Sequence, residues 1–110
     1  KLKQLAEIEI GQMELLNELL QGLNEVEETN GTLLDNTMVL YGCHMGDANI
    51  HNNKNLPVIL AGGGFKHGQH LAFSSDNNAP LANLYVNMLE NMGLEQTKFA
   101  SSTGTLTGLS

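Results

Sequence analysis

Arginine is absent from this 110-residue chain: its five basic side chains are all lysines, set against twelve carboxylates, for a formal charge of −7. Arginine provides the planar fork that grips phosphates, and an acidic chain repels polyanions, so nucleic acid and anionic membrane surfaces are excluded as partners. The single cysteine, Cys43, rules out an internal disulfide framework and any multi-cysteine zinc site, and leaves the redox compartment open. No run of about 18 apolar residues exists, which excludes an apolar spanning helix. Prolines number only two, against twelve glycines and thirteen asparagines. That composition marks a loop-rich chain, but the apolar residues fall into periodic runs, as in folded rather than disordered sequences. The length admits one modest core. The chain opens at Lys1 with neither an initiator methionine nor an export-signal pattern, which reads as a mature or excised segment of a longer polypeptide.

From Leu2 to about Glu28, apolar residues recur every three or four positions: Leu5, Ile8, Gln12/Met13, Leu16, Leu19, Leu20, Leu23 and Val26. This spacing predicts a long amphipathic helix over about 3–29, stopped by Asn30-Gly31, with its stripe packed on a sheet rather than in a coiled coil that Gly11 and Gly22 would weaken. Thr37–Tyr41 and Leu56–Ala61 are apolar runs that stop at glycines and predict strands buried on both faces. Between them, Gly42 to Asn55 is a polar loop of the length that in compact domains more often carries function than not. A short edge strand is expected at Gln69–Phe73. Asn78, Ala79 and Pro80 open a second helix, whose stripe runs Leu81, Leu84, Tyr85, Met88, Leu89 and Met92 before Gly93 closes it. The Ser-, Thr- and Gly-rich residues 96–110 read as a strap or a disordered tail.

Candidate chemistry gathers in the polar loop. Asp47, Asn49 and His51 alternate, so an extended segment would turn all three to one side, with His44 just upstream: a set of N and O donors suited to a hydrolytic zinc. The competing reading is scaffolding, with Asp47 and the loop asparagines bonding their own backbone. An EF-hand is excluded, because a loop starting at Asp47 has Asn52 where glycine is needed and Val58 where the bidentate glutamate is needed. Gly62-Gly63-Gly64-Phe65-Lys66 lacks the Gly-Lys-Ser/Thr ending of a phosphate loop and the spaced third glycine of a dinucleotide fingerprint, and reads instead as a sharp turn at a strand end. His67 and His70 read as solvated titrating groups. Cys43 and His44, being sequence neighbours, are a poor catalytic dyad. Asn30-Gly31-Thr32 matches a glycosylation sequon but reads as a turn.

The segment Leu33-Leu34-Asp35-Asn36-Thr37-Met38-Val39-Leu40-Tyr41-Gly42, then Met45-Gly46-Asp47-Ala48-Asn49 and His51, then Asn55-Leu56-Pro57-Val58-Ile59-Leu60-Ala61-Gly62-Gly63-Gly64 resembles the C-terminal part of a family of uncharacterised secreted bacterial proteins. These are distantly similar to the alkaline phosphatase and sulfatase superfamily. The helix at Pro80–Leu84 and the Met92-Gly93-Leu94 end extend the likeness over about residues 15–108. In that superfamily an Asn-Thr strand precedes a Ser-Asp-His-Gly type motif that binds metal. The corresponding Gly42-Cys43-His44-Met45-Gly46 lacks the acidic ligand, and His51 matches the histidine ahead of the final core strand. The resemblance implies metal ligands at His51 and His44, while Asp47 has no counterpart in it and joins the candidate ligands by its spacing alone; the resemblance further implies a divalent ion (zinc or calcium) in the full-length protein, and a secreted or periplasmic location. It implies that the nucleophile and first metal carboxylates lie upstream, in the remainder of the parent polypeptide.

Together these readings predict one α/β unit over residues 1–110: a three-layer α/β/α, alkaline-phosphatase-like C-terminal fragment with a small, mostly parallel sheet between two helices. Such a sheet has open edges, so pairing with the rest of the parent polypeptide or with a second copy is expected.

Overall fold

The computed structural model describes residues 1–109, which divide into two compact units, residues 1–37 and the described residues from 38 onward. In the first, α1 (Leu2–Glu25) is followed by an antiparallel pair, β1 (Glu27–Glu28) and β2 (Gly31–Thr32). The helix stops four residues short of the expected end. Val26 turns to an extended conformation at φ −88°, ψ 113°, and two of the last carbonyls are met from beyond the hairpin, Leu23 O by the Leu34 N–H at 3.1 Å and Val26 O by the Leu33 N–H at 2.8 Å. Asn30-Gly31 therefore belongs to the hairpin turn, where Gly31 has φ +100°. No residue of α1 is buried: Leu2, Ile8 and Leu15 are each more than half exposed, because so short a hairpin covers little of a 24-residue stripe.

A turn after β2 is tied by Asp35, whose carboxylate accepts the Thr32 N–H at 2.7 Å and the Thr32 hydroxyl at 3.0 Å, while Thr32 Oγ1 accepts the Asp35 N–H. The backbone bond first, then the hydroxyl, holds this carboxyl below its ordinary value of 3.8. A folded-state value lowered in this way contributes stability that is fully present above the ordinary value and is lost as pH falls through the lowered one. An NMR titration should place the Asp35 midpoint below 3.8, with the Thr32 amide signal moving in step, and Asp35→Asn should abolish that movement.

The second unit contains β3 (Met38–Gly42), β4 (Val58–Gly62) and α2 (Leu81–Asn91). Both strands stand where the apolar runs predicted them, but the predicted three-layer α/β/α with a mostly parallel sheet is wrong. Among the described residues there are two helices and two separate two-stranded antiparallel sheets. The reason lies in the connection. Parallel pairing needs a long crossover, usually a helix, whereas the polar residues 43–57 carry no helical period and return the chain as a hairpin. Met38 pairs with Gly62, Leu40 with Leu60 and Gly42 with Val58. Nor are the strands buried on both faces; their residues are mostly half-buried and Ile59 is exposed.

In α2 the buried residues are Ala82, Asn83, Leu84 and Val86, the last of them fully, while Met92 at the end of the expected stripe is exposed. The buried set is shifted toward Asn83 because residues 99–109 run along this helix. The Thr103 N–H donates to Asn83 Oδ1 at 2.8 Å, and Asn83 Nδ2 donates to Thr103 Oγ1 at 3.3 Å. One turn later, Asn87 Oδ1 accepts the Leu106 N–H at 2.7 Å and Asn87 Nδ2 donates to Leu106 O at 3.2 Å. Phe99 meets Tyr85 edge to face, with ring centroids 5.8 Å apart, and Ser102 and Leu109 are buried. Residues 69–73 form no strand; their corner is held instead by the Lys66 N–H donating to Leu109 O at 2.9 Å and by Gln69 Nε2 donating to Gly108 O. Among the described residues, no helix is long and apolar enough to cross a membrane.

Candidate functional site

The loop between β3 and β4 is anchored at its base by the Cys43 N–H donating to Pro57 O at 3.3 Å. Further out, Asp47 and Asn52 form a small antiparallel bridge: the Asn52 N–H donates to Asp47 O at 3.0 Å, and Asn52 O accepts the Gly46 N–H at 2.8 Å and the Asp47 N–H at 3.3 Å. The intervening residues 48–51 are a turn, with His51 in the left-handed region at φ +52°. The extended geometry that would align Asp47, Asn49 and His51 is therefore not adopted. Instead Asp47 Oδ1 accepts the Asn49 N–H at 2.9 Å, and Asn52 Oδ1 accepts the Lys54 N–H at 3.0 Å, so two side chains hold up their own loop.

His44, Asp47 and His51 are all exposed on this loop. Among the described residues, no three His, Cys, Asp or Glu side chains are grouped to hold a metal ion. A catalytic zinc takes three protein ligands supported by further hydrogen bonds, so the residues present do not fit the divalent ion that the resemblance implies as a complete site. Cys43 is exposed and unpaired with any other cysteine.

The second unit also contains a cleft of about 830 Å3, bounded by residues 53–61 at the end of the loop and along β4, residues 66–79, the start of α2 and the tail. Its apolar wall includes Ile59, Leu71, Phe73, Leu84, Leu106 and Leu109. His67, read from the sequence as a solvated group, stands at this cleft with its Nε2 bonded to Gly62 O at 2.9 Å. The three glycines beside it all have positive φ (+69°, +64° and +72°), which is what lets the chain leave β4 so sharply. Asn91 Nδ2 fastens the same turn to α2 by donating to Gly63 O at 2.9 Å.

Nothing in the sequence spacing marks this cleft, because its residues come from four segments brought together only by the hairpin, α2 and the tail. Asn83 and Asn87 were equally concealed, since an asparagine on a helix reads as solvated surface until the strand of chain that covers it is known. No protein-family model matches the chain, and neither the curated proteins nor the solved structures contain a match to it.

Proposed function

We propose that this chain is the C-terminal part of a secreted sulfatase- or phosphatase-like protein, catalytically inactive by itself, with the loop from Gly42 to Asn55 forming one wall of a site completed by the remainder of the parent polypeptide. The observation that supports this reading is the loop itself. It is braced by its own backbone bonds at the end of a β-hairpin, it exposes His44 and His51, and it assembles no full ligand set. A non-catalytic scaffold or interaction module is the second reading, favoured by the open apolar stripe of α1. In both, the partner is the rest of the parent protein or a second copy, and neither nucleic acid nor a membrane takes part. The secreted or periplasmic location follows the resemblance.

Elemental analysis of the purified chain after extensive dialysis should find no stoichiometric metal, and aryl phosphate and aryl sulfate esters should not be turned over. One tightly held zinc per chain, lost in His51→Ala, would show the loop to be a complete site and overturn the proposal. The encoding sequence upstream of Lys1 separates the two readings: an export signal together with a Ser, Thr or Cys nucleophile near an early Asp is expected of the hydrolase-like parent, and a region lacking them leaves the scaffold.

A further inference from the structure

The charge distribution around the cleft runs against that of the chain. Two of the five lysines, Lys54 and Lys66, and two of the four histidines, His67 and His70, line it, against one of the twelve carboxylates, Asp76. A cleft that collects basic groups in an acidic protein concentrates small anions where the rest of the surface repels them. The same cleft has an apolar wall, and its volume of about 830 Å3 lies in the range of small-molecule sites. Its two characters meet at one corner. The Lys66 N–H is bonded to the carbonyl of Leu109, a buried residue of the wall, and Gln69 Nε2 donates to the carbonyls of Lys66 and Gly108. A long lysine stem rooted beside Leu109 can lie along apolar surface while its ammonium meets an anionic head.

We propose that this cleft binds small amphipathic anions, an apolar chain of roughly 8–12 carbons ending in a carboxylate or a comparable monoanion, with the chain against Leu84, Leu106 and Leu109 and the head at Lys66. The lining charge selects against cations. The apolar wall selects against fully polar anions, which would leave it uncovered in water. The inference takes from the loop only its last residues, Asn53 to Asn55, and is independent of its metal-ligand reading and of the parent protein's activity.

The test is a methyl-detected NMR titration with three probes of equal chain length: octanoate, octanol and octyltrimethylammonium. Octanoate should shift the methyls of Leu84, Leu106 and Leu109 and bind about 3- to 5-fold more tightly than octanol, the scale of one partly solvated charge pair, with the cation weakest. Lys66→Gln should bring octanoate down to the affinity of octanol and leave octanol unchanged. The proposal is overturned if the three probes bind alike, if Lys66→Gln leaves the preference intact, or if the shifts fall on the leucines of α1. Oligomerisation that shields these methyls, with no shift from octanoate, would show that a second copy fills the cleft and would overturn it equally.

Discussion

An Asn83→Ala/Asn87→Ala variant is expected to release residues 99–109 from α2 and to lower the melting temperature by about 10 °C or more. Each asparagine uses both ends of its amide on the strap, through Thr103 and through Leu106. Alanine leaves the Thr103 and Leu106 N–H groups without those acceptors in a partly covered interface, at about 1–3 kcal/mol for each substitution. In a domain this size, 1 kcal/mol corresponds to about 4–8 °C. The two losses should be less than additive, because once one clasp opens the strap can leave the other. Freeing the strap also uncovers Ser102, which is buried within it. Hydrogen exchange reads this directly: the Thr103 and Leu106 amides should exchange at rates close to those of an unstructured chain. Asn91→Ala is the control, since Asn91 bonds Gly63 and not the strap, and both amides should stay protected in it. Equal protection in the double variant and the parent chain would show that the side-chain clasps do not hold the strap.

Gly46→Ala should disrupt the loop without unfolding the hairpin beneath it. A methyl at Gly46 would overlap the backbone carbonyl oxygen of Lys54, and a backbone atom cannot swing aside as the end of a side chain can. Overpacking of this kind costs about 1–3 kcal/mol. The strain is most easily relieved by parting Gly46 from residues 52–55, which breaks the two bonds to Asn52 O and the return bond from the Asn52 N–H to Asp47 O. The expected result is therefore local: the Asp47 and Asn52 amides lose protection while those of Tyr41 and Ile59, a facing pair in the strands, keep theirs. An intact Asp47–Asn52 bridge in Gly46→Ala would mean that the close approach to Lys54 is not a constraint on the loop. Gly64→Ala makes a useful comparison, because a methyl there meets no neighbouring atom and the cost is confined to its φ of +72°.

The periodic runs were enough by themselves to place the two helices and the strands β3 and β4, since an apolar spacing of three to four, or a short β-branched run, is a local property of the chain. The turn at Gly62-Gly63-Gly64 and the end of α2 at Gly93 were legible for the same reason: only glycine takes positive φ there without strain, and the residue type announces the geometry. The reading of the loop asparagines and Asp47 as backbone scaffolding likewise needed nothing beyond their short side chains, as the bonds to Asn49 and Lys54 illustrate. How β3 and β4 pair was decided by tertiary structure. An apolar strand carries no mark of its partner's direction, and the antiparallel register from Met38–Gly62 to Gly42–Val58 follows from a loop that returns directly instead of crossing over through a helix. The face of α2 that is buried was also a tertiary decision. Its apolar stripe pointed toward Met92, but Asn83 and Asn87 gain more by clasping the exposed backbone of residues 103–106 than they would from water, because that backbone needs partners wherever it lies against the helix. The cleft exists only through those same long-range choices, and so do the basic residues around it: Lys54, Lys66 and His70 are scattered along the sequence and become neighbours of one cavity when the hairpin, the helix and the strap close around it.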